Sequence, residues 1–343
     1  MVKIDRLPSG SWRARINIGG GKYKTFTGAD KKDVQLRAAE FEAGLISNNS
    51  LAPKPQSLGE VIDKYIESRK EVLSPSTRRG YLAMRRSMLP GLMEEDVNSL
   101  TSEKVQVAIN EEVGIKTPKY IKNELGLITA SLRAFFPKIR LDVKTPPRVK
   151  SEIKVPTEEE MKKVFQKAKF TEIEIPIILA ACCGLRRSEI LGLKWENINL
   201  EIGTAEIKEA IVLDENNDEI QKGTKSYAGT RTIRLFPFVT EALQRAPHDD
   251  EYVVTLKGHQ IYNRFKKITR DCNLPDYRFH DLRHYLVSVM LSLNVPKNYI
   301  IDYVGHETEN MIDKVYGHIM KSKKTSVEDQ MQNYFESVMK SVT

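Results

Sequence analysis

Two polar, proline-bearing stretches divide this chain of 343 residues: SNNSLAPKPQS (47–57) and KIRLDVKTPPRVKSEIKVPT (138–157). Both have linker composition. The chain is too long for one ordinary core, so several domains are expected on length as well. The expected fold is multidomain and mainly α with small β-sheets. It divides into a β-hairpin-containing domain at 1–56, a helical bundle at 57–150 and a larger mixed α+β domain at 151–343.

The first domain begins with SWRARINIGGGKYKTFTG, whose side chains alternate on either side of Gly19-Gly20-Gly21. That is the pattern of a hairpin. Trp12, Ala14, Ile16 and Ile18 would make one face. Arg13 and Arg15, with Lys22 and Lys24 across the turn, would make the other. A helix from Lys31 to about Leu45 would cover the apolar face through Val34, Leu36, Ala38 and Phe41. The face left exposed is then a basic ribbon of a width that suits a DNA major groove. A merely solubilising surface is the plainer reading of the same residues.

From Leu58 to about Phe136 the apolar period is helical, in four segments: LGEVIDKYIESRKEVL, TRRGYLAMRRSMLPGL, SEKVQVAINEEVG and PKYIKNELGLITASLRAFF. Ser74-Pro75-Ser76 supplies a helix start. The second segment turns Arg78, Arg79, Arg85 and Arg86 outward and Tyr81, Leu82 and Met88 inward. A bundle with one basic side follows. The linker after it is basic, suited either to lying across a phosphate backbone or to being a plain loop.

In the third domain Thr157 and Glu160 form a capping-box pattern. IPIILAACCGL is an apolar helix ending at Gly184, and SEILGLKW continues in helical period. EIGTAEIKEAIVL and TRTIRLF look like strands joined through DENNDEIQKGTKSYAG. VTEALQRAP and HQIYNRFKKITRDC are helical. The tail, SVEDQMQNYFESVMK, is an amphipathic helix that packs at home or on a neighbour.

A net charge of +8 and a pI near 9.1 favour a polyanionic partner. Cys182, Cys183 and Cys272 are odd in number and make no disulfide framework, which fits a reducing compartment. The chain has neither a membrane-length apolar run nor a signal-peptide core, so a soluble intracellular protein is expected, without membrane association. No two-metal carboxylate cluster, Cys/His ligand spacing or phosphate-binding loop is present, so neither metal nor cofactor is expected.

The residues that could carry chemistry lie mostly in RFHDLRHYLVSVMLSLNVPKNYIIDYVGHETENMIDKVYGH, 278–318. His280 and Arg283 share a helix face and can reach one ligand together. Gly305-His306 ends an apolar helix, and Tyr316 falls in the next helical pattern. Upstream, Arg186 sits where one helix breaks and another begins. A buried guanidinium there needs an anion, which Glu189 or a ligand can supply. Lys225 falls in the connection between two strands, with Lys222 as its competitor. Imidazoles, guanidiniums and a phenol suit gripping a phosphate and attacking it better than they suit a core.

In this order the set resembles the signature of the tyrosine recombinases, the integrase family of phages and conjugative transposons. CGLRRSEILGLKW, GTKSYAGTRTIRL, HDLRHYLVS and VGHETENMIDKVYGH carry the resemblance, over about 157–320. Cys183 stands where the family often has Thr, and Tyr227, Ala228 and Gly229 lengthen the hairpin.

The resemblance implies a site-specific DNA recombinase that needs neither metal nor ATP. Arg186, Arg283 and His306 would hold the scissile phosphate, supported by Glu189. His280 would act as base, Lys225 as acid and Tyr316 as nucleophile, with Tyr303 the next choice. The resemblance also implies an arm-site-binding domain at 1–56, a core-site-binding domain at 57–150 and a catalytic domain whose terminal helix docks on a neighbour. The partners would be double-stranded DNA and three further copies in a homo-tetramer, with a DNA-bending protein and an excision factor as accessories. A type IB topoisomerase and a non-catalytic DNA-binding protein are the alternatives.

Overall fold

The computed structural model describes residues 4–19, 22–50, 56–148, 154–223 and 230–305. The chain forms two compact units, one of Met1–Ser68 with Ser87–Pro146 and one of Arg69–Arg86 with Pro147–Thr343.

The first unit opens with β1 (Ile4–Arg6), β2 (Trp12–Gly19) and β3 (Lys22–Gly28), an antiparallel sheet in that order. Helix α1 (Lys31–Ser50) packs on it, burying Val34 and Ala38 against Ala14 and Ile16. Two parts of the expected packing are overturned. Leu36 is 61% exposed, because two residues beyond Val34 is roughly 200° around the helix. Lys22 and Lys24 do not share the face of Arg13 and Arg15. Arg13 pairs with Thr27 and Arg15 with Thr25, whereas Lys24 pairs with Ile16 on the side that α1 covers. Facing pairs lie on one side of a sheet, so a one-residue difference in register exchanges the faces. Ile18 is exposed, at the irregularity between Asn17 and Gly19.

Helices α2 (Leu58–Ser68), α3 (Pro75–Arg85), α4 (Pro90–Met93), α5 (Ser102–Glu112) and α6 (Pro118–Phe135) follow. Of these, α3 belongs to the second unit. The expected cap is present: the Ser74 side chain accepts from the Thr77 amide. The expected single helix from 77 to 92 breaks before Pro90, with Leu89 at φ 35°. In the first unit Val61, Ile62 and Ile66 of α2 and Ile121, Ile128 and Leu132 of α6 are buried. One polar cluster is buried with them. Lys116 pairs with Glu112 at 2.6 Å and Glu124 at 2.7 Å and donates to the Ser87 carbonyl, while Glu112 accepts from the Leu89 amide. The first part of the second linker is strapped to α5, through the Ser102 hydroxyl to Asp142 and the Gln106 side chain to Lys144.

The second unit continues with α7 (Glu158–Ala168), α8 (Glu174–Ala181) and α9 (Arg187–Leu191). The capping box at Thr157 and Glu160 forms as expected, and Glu160 also accepts from the Tyr277 hydroxyl at 2.9 Å. Strands β4 (Ile198–Asn199), β5 (Thr204–Ile207), β6 (Glu209–Leu213), β7 (Glu219–Gly223) and β8 (Arg231–Arg234) form two sheets, β4-β5-β8 and β6-β7. The expected single strand over 201–213 is thus two strands in different sheets, and part of the expected connection is β7. Helices α10 (Pro237–Gln244), α11 (Gly258–Asp271), α12 (Asp281–Ser292) and α13 (Lys297–Val304) complete the described fold. The apolar core lies among α7, α8, α10, α11 and the β5-β8 pair, and Leu286, Val287, Leu291, Ile300 and Val304 join α12 to α13.

Candidate active site

Two glycines in left-handed conformation build the site. Gly184 (φ 70°) turns the chain from α8 toward α9, and Gly305 (φ 64°) closes α13. Glycine adopts this conformation without the Cβ penalty. At Gly184 space requires glycine as well, since a Cβ would sit 2.9 Å from Leu286 Cδ2 and 3.2 Å from Val304 Cγ1. Val304 directly precedes Gly305, so the two turns come together.

Each turn holds an arginine. Arg283, in the first turn of α12 and 1% exposed, donates to the Gly184 carbonyl. Arg186 donates to the Gly305 carbonyl at 2.6 Å and to Glu189 Oε1 at 2.6 Å. Its side chain remains 37% exposed. The Arg186–Glu189 pair considered from the sequence is therefore present. Glu189 also accepts the Arg186 amide and is buried. Burial alone would raise its pKa, but Arg231 and then Arg186 hold it below the ordinary carboxylate value, as an anion.

His280 directly precedes α12, one turn from Arg283. Its ring meets His284 edge-on at 4.9 Å between centroids. The crowding protein pulls the His280 pKa down to about 4, aided by His284, Arg283 and Arg186 and opposed by Asp281. By surface area the residue is nonetheless exposed, so a substrate can reach it. At neutral pH it is uncharged and able to accept a proton. Asp281, buried, accepts from the amide and guanidinium of Arg278 and anchors the start of α12.

Arg186, Glu189, His280 and Arg283 are thus brought together. Lys225, His306 and Tyr316 lie outside the described residues, as does the tail helix. Lys222 is on β7 opposite Ala210. Tyr303, on α13, is partly buried, and burial pushes its phenol up to about 12. Arg78 is paired with Glu215, and Arg79 donates to Asn217 Oδ1 at 2.9 and 2.7 Å. Sequence reasoning missed Arg231, whose guanidinium reaches Glu189 at 3.0 Å and the Tyr303 carbonyl at 3.1 Å. A signal was present: in TRTIRLF, Arg231 is in phase with the buried Ile233, an arginine on the inward face of a strand. Among the described residues no group of His, Cys, Asp or Glu is placed to hold a metal ion, and no helix is long and apolar enough to cross a membrane.

Residues 154–323 match the model of the phage integrase family. A XerC-like tyrosine recombinase of Caldanaerobacter subterraneus subsp. tengcongensis is 22% identical over 94% of this chain and 96% of its own. The integrase of transposon Tn1549, solved with transposon right end DNA, superposes at a TM-score of 0.65 with 16% identity. It covers 76% of this chain and 95% of its own. The lambda integrase tetramer bound to a Holliday junction gives 0.57 with 15% identity over 89% and 96%. Residues 154–323 thus carry the phage integrase domain, and the chain is a tyrosine recombinase, an enzyme of site-specific DNA recombination.

Proposed function

We propose that this recombinase integrates and excises a mobile element by cutting and rejoining DNA through a 3′-phosphotyrosine on Tyr316. The observation that carries this reading is the convergence of Arg186 and Arg283 on one pair of glycine turns, with His280 one turn of helix from Arg283.

The phosphodiester is anionic, and its pentavalent transition state gathers charge on the non-bridging oxygens, where positioned cations accelerate most. Guanidiniums suit this because they stay charged and bond in two prongs. His306 adds a further donor to the same oxygens. Tyr316 Oη attacks phosphorus as His280 takes its proton, since a phenol of ordinary pKa about 10 needs a base. The bond to the 5′-oxygen breaks, and Lys225 protonates that oxygen. A 5′-hydroxyl of the second duplex then attacks the phosphotyrosine and releases Tyr316. The bond energy is conserved, so no nucleotide is consumed.

In this reading residues 1–56 bind arm sites through Arg13 and Arg15, on the face that α1 leaves open. Residues 57–150 bind core sites through Arg78, Arg79, Arg85 and Arg86, and 151–343 carry the chemistry in a DNA-bound homo-tetramer. The lambda tetramer on a junction supports that assembly. A DNA-bending protein and an excision factor would set direction.

The test is a suicide substrate, core-site DNA nicked near the cleavage position. Wild type should form a covalent adduct, and Tyr316→Phe should bind the DNA yet form none. An adduct persisting in Tyr316→Phe moves the nucleophile elsewhere.

A further inference from the structure

We propose that Arg231 is a positioning residue for strand transfer. It shares the Glu189 carboxylate with Arg186 and caps the end of α13, so that the phosphate-gripping arginine and the end of that helix are set as one unit. The inference rests on the reading of Arg186 as a phosphate ligand.

Arg231 begins β8, facing Ile207 on β5, and its side chain is 8% exposed. One nitrogen takes Glu189 Oε2 at 3.0 Å, and another takes the Tyr303 carbonyl at 3.1 Å. Arg186 takes the other oxygen, Glu189 Oε1, and the Gly305 carbonyl, both at 2.6 Å. The two guanidiniums therefore do the same two things side by side. Each holds one oxygen of one carboxylate, and each satisfies a carbonyl at the end of α13, Tyr303 in its last turn or Gly305 at its cap. The final carbonyls of a helix have no partner within it, and cations are favoured there by the helix dipole. The chain leaves that turn directly into His306. Two acceptors in different directions suit the planar forked guanidinium, which holds both in fixed geometry; an ammonium is a point charge on a flexible stem and does not fix them together.

The charge balance explains why two arginines are needed. With Arg231 in place, one carboxylate faces two guanidiniums, and a net positive charge remains for the phosphate. Without it, Glu189 and Arg186 neutralise each other, and both carboxylate oxygens turn toward Arg186. Arg231 is also the strongest influence holding Glu189 ionised against burial. Arg186 at the start of α9 and Arg231 on β8 are the charged groups that pair with Glu189 among the described residues. Losing Arg231 therefore lets Glu189 take up a proton at a higher pH.

The experiment uses the full chain and the nicked core-site substrate, comparing wild type with Arg231→Met and Arg231→Lys. For each, the adduct rate at saturating DNA, the affinity for intact core-site DNA, the pH profile and the thermal melt are measured. In Arg231→Met the adduct rate should fall roughly 10²-fold, the size of one lost donor to a developing oxyanion. DNA affinity should stay within about threefold, because most binding comes from other phosphate contacts. The acid limb of the pH profile should move to higher pH. Arg231→Lys should keep the wild-type acid limb, since a cation still faces Glu189, yet lose rate because an ammonium does not hold the two acceptors in the fixed geometry of the fork. If Arg231→Met does not fold, Arg231→Lys carries the test alone. Wild-type rate and profile in a folded variant overturn the proposal. So does a loss of rate, affinity and melting temperature together with an unmoved acid limb in Arg231→Met, which marks a purely structural residue. Absence of adduct in wild type would refute instead the reading of the site on which this rests.

Discussion

The guanidinium of Arg186 donates to the carbonyl of Gly305 across 119 residues of chain, at 2.6 Å. The bond joins the break after α8 to the end of α13. Gly184 reaches the same junction from the other side, against Val304 and Leu286, and its carbonyl is held by Arg283. The geometry of the site is therefore fixed by two backbone turns more than by any pair of side chains.

Substituting these glycines should separate strain from crowding. Gly305→Ala should cost about 1–2 kcal/mol, the backbone penalty of a left-handed non-glycine residue. Gly184→Ala meets the same penalty and overpacks Leu286 and Val304 as well, for about 2–4 kcal/mol in total. Urea unfolding of the full chain, followed by a probe in the second unit, gives both values. Equal losses for the two would mean that the space behind Gly184 yields freely.

Proton uptake at His280 runs in a defined direction. Its folded pKa, about 4, lies below the ordinary histidine value of 6.5. Between those limits the unfolded chain binds the proton and the folded chain does not, so stability rises with pH through this window and is lost as pH falls toward 4. His284, also lowered by burial, adds in the same sense. The His280 ring resonance should titrate near pH 4 in NMR. Asp281→Asn should lower it further, because Asp281 opposes the shift. A resonance titrating at 6.5 or above would contradict the crowded, uncharged ring.

The salt bridge between Arg78 and Glu215 bears on the proposal that α3 contacts core-site DNA. Arg78 is already neutralised, and Arg79 is engaged by Asn217 in the β6–β7 turn. Arg78→Ala should therefore weaken core-site binding less than Arg86→Ala does. Glu215→Ala should tighten binding and steepen its salt dependence, by roughly 0.9 log units per log unit of salt for each phosphate gained. Fluorescence anisotropy titrations between low and moderate salt measure both. If Arg78→Ala proves the more damaging substitution, the pair opens on DNA.

Which features were legible in the sequence follows from the range of the interactions behind them. The capping box at Thr157 and Glu160, the Ser74 cap, the break at Gly184 and the Arg186–Glu189 pair are contacts across a few residues, and local pattern contains them. The face of Lys24 was not legible. It depends on strand register, and the irregularity near Gly19 hides the pairing from simple alternation. EIGTAEIKEAIVL reads as one strand because its alternation barely falters at Lys208, although β5 and β6 pair in different sheets. Arg231 was visible as an inward-phase arginine, but its partners lie 42 and 72 residues away. Only the fold brings them to it.

Far from the site, the buried cluster in the first unit should give a pH response of opposite sign. Glu124 is 1% exposed, and burial raises its pKa to about 7, with Lys116 opposing and Glu112 reinforcing the shift. A carboxyl raised in the folded state contributes stability that is complete below its unfolded pKa, near 4.5, and is lost as pH rises through 7. Glu124→Gln keeps a partner for Lys116 and removes the charge. The variant should match wild type near pH 4 and exceed it by about 1–3 kcal/mol at pH 8. Lys116→Met leaves two buried carboxylates without their cation and should cost about 3–5 kcal/mol at neutral pH, easing as acid protonates Glu124. Denaturant unfolding of the full chain at several pH values, followed by a probe in the first unit, yields both curves. A Glu124→Gln curve parallel to wild type from pH 5 to 8 would show that Glu124 stays ionised throughout.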